Sequence, residues 1–180
     1  MHLIKSLQGD FALKDLGPLH YFLGIKVIHN SFGLHLSQSK YIVDLLHHTR
    51  MLGVNPCATP LPTGAKLSEL EGEPLQDATE YRQVVDALQY CTLTRPDISF
   101  PMNQLCQFMH QSTTAHWSVA KRVLRYLKGF LHHGLVYDRG SLQLNAFSDS
   151  DWAGSIDDRR STTGYAIFLE PCLISWSAKK

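Results

Sequence analysis

Leu142-Gln143-Leu144-Asn145-Ala146-Phe147 alternates apolar and polar residues, and it follows closely on Ala115 to Phe130, where apolar positions recur at helical spacing. That change of period decides the fold class. Downstream, Gly164-Tyr165-Ala166-Ile167-Phe168-Leu169 and Leu173-Ile174-Ser175-Trp176 are further short apolar runs, so the segment from about 142 to 178 predicts a three-stranded antiparallel meander. Upstream, Thr113 or Thr114 caps the long helix, and Gly129 with His132-His133-Gly134 ends it. Two earlier helices carry Tyr81, Val84, Val85, Leu88 and Cys91, then Met102, Leu105, Cys106 and Met109, with Arg95-Pro96 between them. Pro101 fits the second only in its first turn, where a missing N–H costs no ladder bond. Val54 to Asp77 holds Pro56, Pro60, Pro62 and Pro74 and reads as a linker without helix or strand. Before it, Ser37 reads as the cap of a helix with Tyr41, Ile42, Leu45, Leu46 and Met51 on one face, stopped by Gly53. Tyr21 to Ile28 reads as one strand, Asn30-Ser31-Phe32-Gly33 as a turn and Leu34-His35-Leu36 as the return, a β-hairpin over about 20 to 37. Leu3, Ile4, Leu7 and Phe11 give helical spacing to the first residues. Hairpin, helices and meander in that order make an α+β chain.

Composition narrows the function classes. Hydrophobic content of 44% and charged content of 18% in 180 residues are globular values. A net charge of +1 gives no general attraction for nucleic acid, so such binding must come from local clusters of Lys and Arg. Cys57, Cys91, Cys106 and Cys172 form no CxxC pair and no zinc-finger spacing, so free thiols are expected. No signal peptide and no run near ~18 apolar residues is present, so no membrane partner is expected and an intracellular, reducing compartment is the default. A Walker loop, a GxSxG elbow and a dinucleotide fingerprint are all missing.

Several stretches resemble copia-type retrotransposon Pol polyproteins. Lys14-Asp15-Leu16-Gly17-Pro18-Leu19-His20-Tyr21-Phe22-Leu23-Gly24-Ile25 is similar to the segment following the polymerase active-site turn. Leu88-Gln89-Tyr90 with Thr94-Arg95-Pro96-Asp97-Ile98 comes next in the family's order, then Ala120-Lys121-Arg122-Val123-Leu124-Arg125-Tyr126-Leu127-Lys128-Gly129. Ser148-Asp149-Ser150-Asp151-Trp152-Ala153-Gly154, Arg159-Arg160-Ser161-Thr162-Thr163-Gly164 and Ile174-Ser175-Trp176-Ser177-Ala178-Lys179-Lys180 complete the pattern. Asp86, Pro101 and Glu170 stand where the family usually has Gly, Ala and Gly. The chain also resembles plant mitochondrial proteins derived from such elements.

The resemblance implies an organisation. Residues 1–53 correspond to the end of a reverse transcriptase palm with a primer-grip-like hairpin and its following helix, and 54–77 to a Pro-rich linker. Residues 78–134 correspond to thumb or connection helices, and 135–180 to the first strands of an incomplete ribonuclease H-like fold. The family's Tyr-Val-Asp-Asp turn and its later Ser-Thr-Glu-Ala-Glu motif do not occur in the sequence. The expectation is a fragment of an enzyme that makes DNA on RNA with Mg²⁺, inactive by itself and holding no cofactor. The alternative is a non-enzymatic nucleic-acid-binding or host-recruited interaction protein.

Three groups are candidate sites. Asp149 matches a ribonuclease H metal-holding aspartate, an incomplete site for a Mg²⁺ pair that activates water; two solvated turn carboxylates, Asp149 and Asp151, fit the same sequence. Lys121, Arg125 and Lys128 share one stripe of the long helix with Arg122 nearby, which suits a phosphate backbone or simply a solvated basic face. Tyr21, Phe22 and Gly24 suit close approach to RNA–DNA hybrid or DNA, as in a primer grip, and suit an ordinary palm-edge hairpin equally. Ile167, Leu169, Ile174 and Trp176 are expected to be partly uncovered and the last strands to have open edges, favouring non-specific self-association.

Overall fold

Asn30 and Gly33 close the turn that organises the first sheet: the Asn30 amide donates to the Gly33 carbonyl at 3.0 Å and the Gly33 amide to Asn30 Oδ1 at 2.7 Å. In this computed structural model, residues 6–7, 11–14, 17–31 and 33–180 are described; most of the helical spacing read over 1–11 lies outside them. The turn joins β2 (Ile25–His29) to β3 (Gly33–Ser37), with Val27 opposite Leu36 and His29 opposite Leu34. The single strand expected from Tyr21 to Ile28 is broken, however. Leu23 and Gly24 both take positive φ, 46° and 73°, so the chain reverses after β1 (Tyr21–Phe22) in a two-residue turn that brings Phe22 opposite Ile25. Two left-handed residues in succession match the twist of a hairpin, and glycine takes the second without strain.

Four helices follow: α1 (Ser39–His48), α2 (Thr79–Cys91), α3 (Ser99–Cys106) and α4 (Thr114–Gly129), with a 3₁₀ turn over Pro96–Ile98 leading into α3. Pro101 lies in the first turn of α3, as its missing donor requires. Thr113 caps α4, its amide donating to His116 Nδ1 at 3.0 Å. Ser37 does not cap α1; Gln38 holds that position, buried, taking a hydrogen bond from the Thr94 hydroxyl at 2.7 Å and donating to the Tyr90 carbonyl at 3.3 Å. The core belongs to the helices. Ile42, Leu46, Val85, Leu88, Leu105 and Leu124 are sealed from solvent, and the Tyr81 hydroxyl reaches the Leu105 carbonyl at 2.9 Å.

Residues 54–77 contain no helix or strand, only an isolated bridge between Pro74 and Thr113, in keeping with their four prolines. After α4, β4 (Leu135–Asp138) returns to the first sheet and pairs antiparallel with β3, Leu36 opposite Leu135, giving the order β1-β2-β3-β4. Four residues are too few for alternation to declare them a strand, and the sequence reading has none there.

The meander forms as read: β5 (Leu144–Ser150), β6 (Thr163–Leu169) and β7 (Cys172–Lys179) pair antiparallel in that order. One side of it leans on the helices through β7 and α3. Cys172 is its one buried hydrophobic residue, donating its thiol hydrogen bond to the Asp138 carbonyl at 3.3 Å. Ile174 is exposed and Ile167, Leu169 and Trp176 are half-buried, while Leu144 and Phe147 on β5 are 64% and 65% exposed. All four cysteines are free; burial pushes the Cys91 thiol up to about 12, which keeps it an inert core group.

Candidate nucleic-acid interface

The β1–β2 turn is seated on two tyrosines. Tyr41 of α1 and Tyr90 of α2 meet edge to face with ring centroids 5.1 Å apart, and a Cβ on Gly24 would lie 3.5 Å from the Tyr90 ring and 3.6 Å from that of Tyr41. Tyr90 donates its hydroxyl hydrogen bond to the Leu23 carbonyl, and Tyr41 donates to the Ala87 carbonyl at 3.3 Å. Burial raises the Tyr41 pKa, so its hydroxyl remains a neutral donor. On this support Tyr21, Phe22 and Leu23 are more than half exposed, with Lys40 Nζ 6.0 Å from the Tyr21 centroid. A flat apolar tip beside a cation and a glycine backbone suits stacking against bases.

The basic residues of α4 are differently engaged. Lys128 Nζ donates to the carbonyls of Leu52 and Val54 at 2.5 and 2.6 Å, and Arg125 Nε to that of Asn55 at 2.8 Å. Arg122 binds both the Thr59 carbonyl, at 3.1 Å, and the Thr59 hydroxyl, at 2.8 Å. Lys121 turns its ammonium over the Trp117 ring, 5.0 Å from the centroid. The stripe therefore clamps the start of the proline-rich segment. Farther along, that segment binds Asp157 of the β5–β6 loop, through the Ser68 hydroxyl at 2.6 Å and the Glu69 amide at 3.1 Å. It is a strap joining α4 to the meander.

Asp149 lies exposed on β5 opposite Gly164, its Oδ1 accepting the Ser150 amide at 2.9 Å. Asp151 caps the following loop by accepting the amides of Gly154 at 3.2 Å and Thr162 at 2.8 Å. Asp158 pairs with Lys180 at 2.9 Å, and hydrogen bonds from Ser155 and Lys180 hold its carboxyl far below the usual range. Each acid thus has its own local role. Among the described residues, no group of three or more His, Cys, Asp or Glu side chains is placed to hold a metal ion. The donor set around Asp149 does not fit a Mg²⁺ pair, which needs several converging oxygens.

One constellation escaped the sequence reading. Arg95, 1% exposed, grips Asp97 through Nε at 3.0 Å and Nη2 at 2.7 Å, and its Nη1 donates to the Phe130 carbonyl at 2.9 Å where α4 ends. Tyr126 donates to the same carboxylate at 2.7 Å. Burial raises the Asp97 pKa, but the hydrogen bonds from Arg95 and Tyr126 outweigh it and hold the carboxyl below the ordinary range. The available signal was an arginine two residues before an aspartate amid apolar helices, since a buried guanidinium requires a partner.

With this geometry in place, the comparisons with known proteins decide the family. A family model described as reverse transcriptase (RNA-dependent DNA polymerase) matches residues 2–63, the stretch containing the hairpin and α1. The chain is 49% identical over 180 residues to the retrovirus-related Pol polyprotein from transposon RE2 of Arabidopsis thaliana, 99% of this chain and 12% of that protein. It is also 49% identical over 179 residues to an uncharacterised mitochondrial protein of the same plant, 99% of this chain and 74% of that protein. The chain belongs to the copia-type retrotransposon Pol family. A retrovirus-related Pol polyprotein from transposon TNT 1-94 of Nicotiana tabacum is 35% identical over 190 residues, covering 98% of this chain and 14% of that protein. The Pol chain therefore spans about an eighth of the length of the transposon polyproteins it matches first. No solved structure matches it. Among its described residues no helix is long and apolar enough to cross a membrane.

Proposed function

We propose that this Pol segment serves a reverse transcriptase by gripping the primer end, with the β1–β2 tip as the contacting surface. The single observation that supports it most is the exposed Tyr21-Phe22-Leu23 tip fixed from beneath by Tyr41 and Tyr90. On this reading residues 1–53 are the end of the palm, 54–77 the linker, 78–134 the thumb-like helices, and 135–180 the opening strands of a ribonuclease H-like unit carrying Asp149. Residues 1–180 alone act as a binding segment and not as an enzyme: they contain no Tyr-Val-Asp-Asp turn, and Asp149 has no converging carboxylates among the described residues.

Fluorescence anisotropy with a labelled RNA–DNA primer–template duplex tests this. The expected result is binding with a shallow salt dependence that Phe22→Ala weakens about tenfold, the scale of one lost stacking contact, with no strand cleaved in Mg²⁺. Absence of binding at low salt, or affinity indifferent to Phe22→Ala, overturns the grip. Hybrid cleavage abolished by Asp149→Asn overturns the inactivity.

A further inference from the structure

We infer that Gln38 is a positioning residue for the β1–β2 tip, acting through Tyr90; this rests on the reading above that the tip grips the primer end. Burying a carboxamide costs free energy unless its two ends are bonded. Gln38 is sealed from solvent, yet its side chain makes no capping bond to α1, whose cap position it holds. The amide reaches away from its own helix instead. Its Nε2 donates to the Tyr90 carbonyl at 3.3 Å, and its Oε1 accepts the hydroxyl of Thr94, also sealed, at 2.7 Å. Tyr90 lies in the last turn of α2, where carbonyls lack the next helical amide, so a donor from outside is well used there.

Tyr90 is thereby held at three points. Gln38 takes its carbonyl, the Tyr41 ring meets its own ring edge to face at 5.1 Å, and its hydroxyl donates to the Leu23 carbonyl. Gln38 and Tyr41 stand three residues apart at the start of α1, so one helix end fixes both the backbone and the ring. Leu23 needs such support, since its φ of 46° is a conformation that a leucine keeps only where its surroundings hold it.

The contacts close a circuit. Lys26 of β2 pairs with Ser37 of β3, Ser37 runs directly into Gln38, Gln38 binds Tyr90, and Tyr90 returns to Leu23, two residues before β2 begins. The tip is thus fixed by two routes, the sheet through β2 and the helices through Tyr90, and Gln38 sets one against the other. With that link cut, the end of α2 can shift relative to β3 and draw the Tyr90 hydroxyl off Leu23. The tip then keeps its sheet and loses its seat.

Gln38→Met combined with Thr94→Val removes both side-chain partners together, and the Tyr90 carbonyl keeps the Leu93 amide at 3.3 Å, so no polar group is orphaned. The expected result is a thermal melt close to wild type with affinity for the labelled RNA–DNA primer–template duplex about fivefold lower, the scale of one net hydrogen bond. In the free protein the Val27 amide, which donates to the His20 carbonyl across the β1–β2 turn at 2.8 Å, should exchange faster, while the Leu124 amide in α4 should not. Added to Phe22→Ala, the pair should cost no further affinity, because both act through the same tip. Tyr90→Phe, at a half-buried position, removes only the hydroxyl; it should reproduce the loss, and it decides the matter where the paired variant folds poorly. Wild-type affinity in either variant, while Phe22→Ala still weakens binding, overturns the role of Gln38 alone. Binding indifferent to Phe22→Ala overturns the grip and this role with it. Equal acceleration at Val27 and Leu124, or losses that simply add to that of Phe22→Ala, make Gln38 a general stabiliser and overturn the inference too.

Discussion

Replacing Asp97 by alanine removes the acceptor for two Arg95 donors and for the Tyr126 hydroxyl at once. Arg95 cannot escape to water: it is 1% exposed, its Nη1 bond runs to the Phe130 carbonyl, and its guanidinium lies 5.5 Å from the Tyr126 ring. Breaking a buried pair from one side costs about 3–5 kcal/mol, since the orphaned charge stays in a poor solvent. Asp97 is 33% exposed, so water entering the vacated space offsets part of that, and about 3 kcal/mol is the working figure. In a chain of this size each kcal/mol moves the melting midpoint by about 2–4 °C, so a fall of about 6–12 °C should appear in a thermal melt followed by circular dichroism.

The opposite deletion should be gentler. Arg95→Met leaves a carboxylate that is a third exposed and can turn to solvent, with an apolar chain filling most of the space. The pH dependence carries a sign as well. Asp97 has its pKa lowered in the folded state, so its contribution is complete above the ordinary carboxylate pKa, about 3.9, and is lost as pH falls through the folded value. The gap between wild type and Asp97→Ala should therefore be full at neutral pH and close in acid. A midpoint within about 2 °C of wild type, or Arg95→Met costing more than Asp97→Ala, refutes the account of this pair.

Arg122→Ala combined with Lys128→Ala should release the strap without unfolding the helices: hydrogen exchange and limited proteolysis at 52–60 should rise, while the melt moves by about 1 kcal/mol or less because the cations are only partly buried and their bonds lie at the surface. His116 is buried, stacked on Phe108 at 4.0 Å, and desolvation lowers its pKa. Its folded pKa lies below the unfolded value of about 6.5, so stability is full above that pH and lost as pH falls through the folded pKa; melts from pH 8 to 5 should show a loss that His116→Asn reduces.

Elements with local signatures were legible from residues alone. α4 announced itself by Thr113, its apolar arc and Gly129, and the meander by alternation in 142–147 followed by two close apolar runs. What stayed hidden depends on partners distant in sequence. β4 is a strand only because β3, about a hundred residues earlier, supplies its ladder. The sequence reading places the cap at Ser37, whereas Gln38 holds that position as a buried link between α1 and Thr94. The Leu23-Gly24 reversal was masked by the apolar run around it, and only the positive φ values distinguish turn from strand.

The basic face of α4 shows why charge patterning alone misjudges a site. Cations at the same helical spacing serve a phosphate backbone or a row of carbonyls equally well, and only the path of 52–59 decides which. A carbonyl dipole orients a guanidinium without cancelling its charge, so the stripe keeps its field while its best donors are taken. That division assigns different measurements to the two candidate surfaces. Contact through the β1–β2 tip depends on stacking and should survive much of a salt titration, whereas each phosphate held by α4 would steepen the log–log salt slope by about one ion. Binding with a shallow slope that Phe22→Ala reduces would place the nucleic acid on the tip; a steep slope that falls in Arg122→Ala and Arg125→Ala would require the strap to open first.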